Sequence, residues 1–251
     1  MSRVRPSLEQ IAEQQWRDYQ ARNPGAYFVE FPDSLDLTQA YALQDAVSRL
    51  RTGAGDVVIG YKVGCTGPGT IEQFGMEGPV RGCLFRSELR RSGDLIDAQT
   101  HAGLAVEGEM ALRIGPRGEV AEAFPVIELH NFVFRGPRKT LPELVGNNAL
   151  NAGVVLPVGT GPWPMHDAAS AAKLTVRING DLMGEGGLWP RPGGAQASVG
   201  WLRSHLAEHN LALAPGHLVL TGTALGLYPV RPGDHVSVGI DGVSAIQCQV
   251  T

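Results

Sequence analysis

Residues 104–112 read LAVEGEMAL, with two glutamates one residue apart in an otherwise apolar run. In an extended strand side chains alternate, so Glu107 and Glu109 share one face while Val106, Gly108 and Met110 take the other. Their Cα atoms then lie roughly 6–7 Å apart, close enough for both carboxylates to lean toward one point. Two like charges at that spacing repel, and one carboxyl stays protonated unless a cation sits between them. A hard divalent ion such as Mg2+ suits that position, because it takes a few carboxylates together with waters and substrate oxygens. The same alternation also describes a strand with both glutamates facing solvent, so geometry alone leaves two readings open. Glu128, in PVIELHNF, is a third acid among hydrophobics; were its strand a neighbour of the first, three glutamates would surround one oxygen-ligated ion. Lys62, in VVIGYKVG, is a cation inside an apolar strand. It reads either as a lysine guarding a sheet edge or as a buried ammonium serving as acid, base or carboxylate anchor.

These residues need a scaffold of strands, and the chain supplies one after a helical start. SLEQIAEQQWRDYQ opens with Ser7 as a helix cap and Gln10 three residues on to complete a capping box. Leu8, Ala12, Trp16 and Tyr19 recur at helical spacing. NPGAYFVEFPDS breaks the pattern, and LDLTQAYALQDAVSRLRTG follows as a second helix. Thr38 is its expected cap, Ala40, Leu43, Val47 and Leu50 form its stripe, and Gly53 and Gly55 end it. From Asp56 the texture changes to short β-like runs bounded by glycine and proline: DVVIGYKVG, GCLF, AVEGEMALRIG and AFPVIELHNFVF. ELVGNNALNAGVVLP reads as a helix or turn, then a strand. KLTVRINGDLMGEG and HVSVGIDGVSAIQCQV read as hairpins through Asn179-Gly180 and Asp241-Gly242. SVGWLRSHLAEHNLAL is an amphipathic helix with Trp201, Leu202 and Leu206 on one face, and HLVLTGTALGLYPV is a further strand. Strands and helices do not alternate regularly, which argues against a doubly wound α/β sheet. The expected organisation is α+β, with a helical region over 1–55 and a β-rich core over 56–251.

Composition narrows the function classes. The chain has 251 residues, 43% hydrophobic and 18% charged, with a formal net charge of -4. It has no basic run that would suit nucleic acid or an anionic membrane, so a small molecule or a second copy of the chain is the expected partner. Three scattered cysteines, Cys65, Cys83 and Cys248, form no CxxC pair and read as small core residues in a reducing compartment. MSRVRPSLEQIAEQQW lacks the apolar segment of a secretion signal, which leads to a cytoplasmic expectation.

Taken in order, GYKVG, GCLF, VEGEMAL, VIEL, LVLTGT and RPGD resemble the bacterial 2-keto-4-pentenoate hydratases and the related 2-oxo-hexenedioate (4-oxalocrotonate) decarboxylases of the fumarylacetoacetate hydrolase superfamily. LTQAYALQDAV resembles the helix ahead of that family's core, so the likeness runs from about Asp36 to the end. The resemblance implies that residues 56–251 form a metal-binding catalytic core, mixed and β-barrel-like, that holds Mg2+ or Mn2+, and that the chain is a homo-oligomer acting in the breakdown of aromatic compounds. It places the metal carboxylates on Glu107, Glu109 and Glu128, the active-site lysine on Lys62, and a substrate-lining turn on Thr221, Gly222 and Thr223. A glutamate as third ligand favours the hydratase and decarboxylase branch over the acylpyruvate hydrolases. The implied reaction is hydration of a 2-hydroxy-2,4-dienoate to a 4-hydroxy-2-oxo acid. A decarboxylase, an acylpyruvate-type C–C hydrolase and a degenerate non-catalytic partner subunit are the alternatives.

Three motifs depart from the family pattern. Hydratases carry Pro-Asp-aromatic-Gly before the Leu-Phe pair, whereas PVRGCLF has Val80 and Arg81 there. Glu-Ile-Val-Asp becomes ELHN, which ends in His130 and Asn131, and Asn-Ala-Ser-Ser becomes NALN, with Asn151 in place of a serine. The lost acid at Val80 bears on water addition. Arg81 is expected to hold a second substrate carboxylate through its bidentate guanidinium, and Asn151 to contact substrate. Two other motifs read as ordinary structure. HLAEH, His205 to His209, matches a zinc-peptidase pattern but sits in an amphipathic helix. GCTGPGT lacks the phosphate-loop lysine and is expected to be a flexible active-site loop after Lys62.

Overall fold

The computed structural model describes residues 6–32, 34–75, 78–159 and 171–251. Helix α1 (Leu8–Gln20) starts at the expected box: the Ser7 hydroxyl accepts from the Gln10 amide and the Gln10 side chain accepts from the Ser7 amide. A one-turn helix α2 (Tyr27–Glu30) interrupts the Pro/Gly stretch and buries Tyr27 and Phe28 against Ile11 and Leu43. Helix α3 (Leu37–Gly53) is capped by Asp36, not Thr38. Asp36 Oδ1 accepts from the Gln39 amide at 2.8 Å, and Gln39 answers the Asp36 amide at 3.1 Å. The Asp-x-x-Gln box satisfies two orphan donors, which Thr38 inside the first turn cannot do.

Strands β1 (Val58–Gly64) and β2 (Val80–Phe85) follow, joined through helix α4 (Pro68–Phe74). This helix corrects the expectation of a plain loop after Lys62. Short strands β3 (Leu89–Arg91) and β4 (Leu95–Ile96) lead to the long antiparallel pair β5 (Leu104–Ile114) and β6 (Val120–Asn131). Helix α5 (Leu141–Gly146), strand β7 (Asn151–Leu156), hairpin β8 (Lys173–Ile178)–β9 (Asp181–Gly187) and helix α6 (Gly194–Glu208) come next. Strands β10 (Leu218–Leu220), β11 (Tyr228–Pro229), β12 (His235–Ile240) and β13 (Val243–Val250) complete the order. Both hairpins turn where expected: Asn179 and Gly180, like Asp241 and Gly242, have positive φ, as a two-residue type I′ turn requires.

One mixed sheet runs β2-β1-β10-β5-β6-β7-β3, with β11 added beside β5, and a second runs β4-β13-β12-β8-β9. The outer face of the first sheet, carrying Val106, Met110, Ile127 and Leu129, packs on the second sheet and on α6 to form the main core. Gly108 lies at this contact, where a Cβ would come within 2.5 Å of Val176 Cγ2. The other face carries Leu84, Ala111, Phe124, Val126, Val154, Leu218 and Leu220 as a second apolar cluster. Glu107, Glu109 and Glu128 share that face by alternation, at the end of β5 and β6 nearest α4 and α5. The architecture is the expected α+β, with a curled, barrel-like sheet as its centre. Among the described residues no helix is long and apolar enough to cross a membrane.

Candidate metal centre

Strand register brings the acids together. Glu107 pairs directly with Glu128 across β5 and β6, Glu109 lies one step along the same face, and Lys62 on β1 reaches in from the other side of β10. Lys62 Nζ lies 2.9 Å from Glu128 Oε1, and the same oxygen accepts from Asn151 Nδ2 at 2.7 Å. Glu109 Oε2 accepts from the Gly222 amide at 3.0 Å. Gly222 has φ +86, and a Cβ there would meet Thr66 Oγ1 at 2.3 Å, so this turn is open only to glycine. Thr221 anchors the turn to β5, its hydroxyl donating to the Met110 carbonyl at 2.9 Å, and Thr66 Oγ1 donates to the Thr223 carbonyl at 3.4 Å. The turn thus orients Glu109. Gly82 lies across from Lys62, and a Cβ there would press on Lys62 Cγ at 3.1 Å.

Lys62, Glu109 and Glu128 are buried, while Glu107 is partly exposed. Burial opposes the charge on Lys62, but the fields of Glu128, Glu107 and Glu109 outweigh it and hold the lysine as an ammonium. Burial likewise opposes ionisation of Glu128. Lys62 and His130 outweigh it, so Glu128 is a firm carboxylate. Glu109 goes the other way: burial, then the charges of Glu128 and Glu107, raise its pKa well above the ordinary range. With all three glutamates ionised and His130 neutral, the cluster would carry the charge that one divalent cation neutralises.

Sequence reasoning passed over one member of the cluster. His130 follows Glu128 by two residues on β6 and so faces the same way; alternation alone would have found it. Its Nε2 lies 3.2 Å from Glu107 Oε2 and 3.4 Å from Glu128 Oε2. Among the described residues, the tightest group of possible metal donors is Glu107, Glu128 and His130, with Glu109 outside it. Glu128 Oε2 and both ring nitrogens of His130 are buried without a hydrogen-bond partner. A divalent cation fits these orphaned donors and the charge they leave.

A cavity of about 190 Å³ opens beside Lys62, Glu107 and His130. Phe74, Phe132 and Phe134 wall it, with Phe74 and Phe134 stacked at 6.3 Å between centroids. Lys139 stands at its edge, Nζ 4.9 Å from the Phe132 ring centroid. No sequence signal pointed to Lys139, which lies in an unpatterned loop. Cys65 also lines the cavity, and burial pushes its thiol up to about 11, in keeping with an unreactive cysteine.

Two sequence-selected residues sit elsewhere. Arg81 pairs with Val63 in the β1–β2 ladder, on the face opposite Lys62. It is fully buried, bonded to Asp45 at 2.7 Å and stacked toward Tyr41 and Tyr61, so it does not reach the cavity as expected. Asn151 touches the cluster through Glu128, while its Oδ1 accepts from the Gly153 amide, and it does not line the cavity. The HLAEH motif forms an aromatic stack: His205 lies 4.9 Å from Trp201 and 4.6 Å from Tyr41 between centroids.

Comparison with known proteins agrees with this architecture. Residues 146–251 match the fumarylacetoacetate (FAA) hydrolase C-terminal family. The chain is 27% identical over 230 residues to a 2-keto-4-pentenoate hydratase of Burkholderia vietnamiensis, covering 86% of this chain and 87% of that protein. It is 25% identical to a 4-oxalocrotonate decarboxylase of a Pseudomonas species, covering 88% and 87%. Its fold superposes on a Pseudomonas putida 4-oxalocrotonate decarboxylase, solved with magnesium and adipate, with a TM-score of 0.86, 20% identity and coverage of 100% and 99%. The chain is thus similar over most of its length to 2-keto-4-pentenoate hydratases and 4-oxalocrotonate decarboxylases, and over residues 146–251 to the fumarylacetoacetate hydrolase C-terminal family.

Proposed function

We propose that this chain is a divalent-metal-dependent hydro-lyase that adds water to a 2-hydroxy-2,4-dienoate and yields a 4-hydroxy-2-oxo acid. The observation that carries the reading is a lysine–glutamate pair joined to two further glutamates at the end of an apolar-walled cavity. Glu107, Glu109 and Glu128 would hold Mg2+ or Mn2+. When bound, such an ion acts as Lewis acid and template for a 2-oxo carboxylate. Lys62, held as an ammonium, stabilises the negative charge that gathers on the substrate's 2-oxygen. Ketonisation moves the enol proton to C5 and leaves a 2-oxo-3-enoate. The oxygen of water then bonds to C4, the double-bond electrons move toward the 2-oxo group, and C3 takes a proton. Phe74, Phe132 and Phe134 cover the diene and keep bulk water out. Asn151 and the Gly222 amide fix the orientations of Glu128 and Glu109.

Decarboxylation of a 2-oxo dioic acid is the second reading, since it needs the same stabilised charge on the 2-oxygen. Lys139 favours a dicarboxylic substrate, because a cation at the cavity edge suits a carboxylate far from the 2-oxo end. A cytoplasmic homo-oligomer acting on products of aromatic breakdown is the setting this reading supports. The test follows the ultraviolet loss of 2-hydroxypenta-2,4-dienoate and 2-hydroxyhexa-2,4-dienedioate with Mg2+ or Mn2+, with the products identified. A 4-hydroxy-2-oxo acid supports hydration, and released CO2 moves the assignment to decarboxylation. Turnover of neither, with no metal bound on titration, would leave a non-catalytic partner subunit as the reading.

A further inference from the structure

Resting on the metal-centre reading above, we propose that His130 is a nitrogen ligand of the metal, so that the centre is a mixed carboxylate–imidazole site and not an all-oxygen one. His130 follows Glu128 by two residues in VIELHN, so strand alternation puts both side chains on one face. It is buried on the site face of β6, with Nε2 at 3.2 Å and 3.4 Å from oxygens of two different glutamates. Both are ion-pair contacts, neither is aligned as a hydrogen bond, and neither ring nitrogen has a hydrogen-bond partner among the described residues. A histidine that merely braced these carboxylates would donate a well-aligned N–H to one of them. Here the nitrogen lies between two oxygens, in the position of a third donor facing a common centre.

The spacing agrees with coordination. Adjacent donors on an octahedron with bonds of about 2.1 Å lie about 3.0 Å apart. The observed separations are slightly wider, as expected of ligands that relax inward around an ion. The donor atoms of Glu107, Glu128 and His130 all lie within 4.8 Å of one another. Glu109 has one oxygen tied to the Gly222 amide and completes the set from the same face. Lys62 takes the other Glu128 oxygen and so leaves Oε2 free to ligate.

An imidazole donor changes which ions the centre prefers. Oxygen-only sites suit Mg2+ and Ca2+, whereas imidazole suits Zn2+, Fe2+, Co2+ and Ni2+, with affinity rising along the first transition row. The expected preference is for Mn2+, Co2+ or Zn2+ over Mg2+. The test uses the purified full chain, stripped of metal and loaded with Mn2+ alone, and reads electron spin-echo modulation in samples with natural and 15N-labelled histidine. Coupling from one directly bound histidine nitrogen, lost in His130→Gln, is the expected result. In parallel, titration of His130→Val should show Co2+ and Zn2+ affinity down about 10- to 100-fold, with Mg2+ affinity changed less than about 3-fold. Metal binding without nitrogen coupling, in a wild type that ranks Mg2+ with Co2+, would overturn the proposal and leave the carboxylate centre standing. A wild type that takes up no divalent ion would overturn the metal-centre reading itself, and this proposal with it. Should the variants fail to fold, the labelled wild type still decides, because His130 is the one histidine in the donor group of the described residues.

Discussion

At the scale of single residues, the acids were legible because burial and charge contradict each other. A glutamate inside an apolar strand demands a partner, and Glu107, Glu109 and Glu128 meet on one face of the sheet beside Lys62. Lys62 was legible for the same reason. Arg81 was not, because its role depends on strand register: pairing with Val63 turns it away from Lys62 toward Asp45. The position of Lys62 separates binding from chemistry. It bonds to Glu128, a proposed metal carboxylate, at 2.9 Å and, as a cation, would compete with an ion for the same negative field. Lys62→Met should therefore bind Mn2+ at least as tightly as wild type while turnover falls about 10²- to 10³-fold, the usual loss when one charge-stabilising donor is removed. Calorimetric titration and steady-state kinetics check the two halves. Weaker Mn2+ binding would mean that Lys62 shapes the carboxylate cluster and does not act on substrate.

At the scale of elements, what local chemistry dictates was readable and what contacts dictate was not. The Ser7 capping box and the Asn179-Gly180 and Asp241-Gly242 turns depend on neighbours a few residues away, and all three form. Helix α4 appears where a glycine-rich stretch read as loop, because Phe74 stacks on Phe134, a partly buried partner that sequence does not display. Helix α6 starts at Gly194, four residues before the expected start at Ser198, so local pattern fixed its existence better than its boundary. The most constrained element is the β5–β6 pair, whose two faces serve different tasks. Gly108 sits between Glu107 and Glu109, the proposed metal ligands, yet its own face presses on Val176 and Val238 of the second sheet. Val176 is buried, so it has no room to retreat from an added methyl. Gly108→Ala should destabilise the fold by about 1–3 kcal/mol, as overpacking does, and should weaken metal binding by displacing the strand. Val176→Ala in the same chain should recover most of both losses. Urea midpoints and Mn2+ titration of the double-mutant cycle measure the coupling; additive effects would place the strain elsewhere.

At the scale of the molecule, the question is what fixes the N-terminal helices to the sheets. Sequence showed their apolar stripes but gave no sign of the lock, since Arg51 near a helix C-terminus reads as ordinary complement to the helix dipole. In the structure its guanidinium lies 3.7 Å from the Phe85 ring centroid, bonds Asp56 at 2.7 Å and Ser87 at 2.9 Å, and pairs with Glu88 at 3.1 Å. Tyr19 of α1 donates to the same Glu88, so α1, α3 and the end of β2 meet at one cation. Burial raises the Glu88 pKa, with Arg51 as the main opposing influence. Arg51→Met leaves that carboxylate buried without its cation and should cost about 3–5 kcal/mol at neutral pH. The pH dependence has a definite sign. Without Arg51 the folded-state pKa of Glu88 climbs further above its unfolded value of about 4.3, so the folded state binds the proton more tightly. The variant's stability should therefore rise as pH falls from 7 toward 5, and its deficit relative to wild type should narrow. Glu88→Gln added to Arg51→Met should recover part of the loss at pH 7 and remove this pH dependence. Denaturant midpoints at pH 7 and pH 5 decide the matter; a deficit equal at both would show that lost packing on Phe85, not the stranded charge, unlocks the helices.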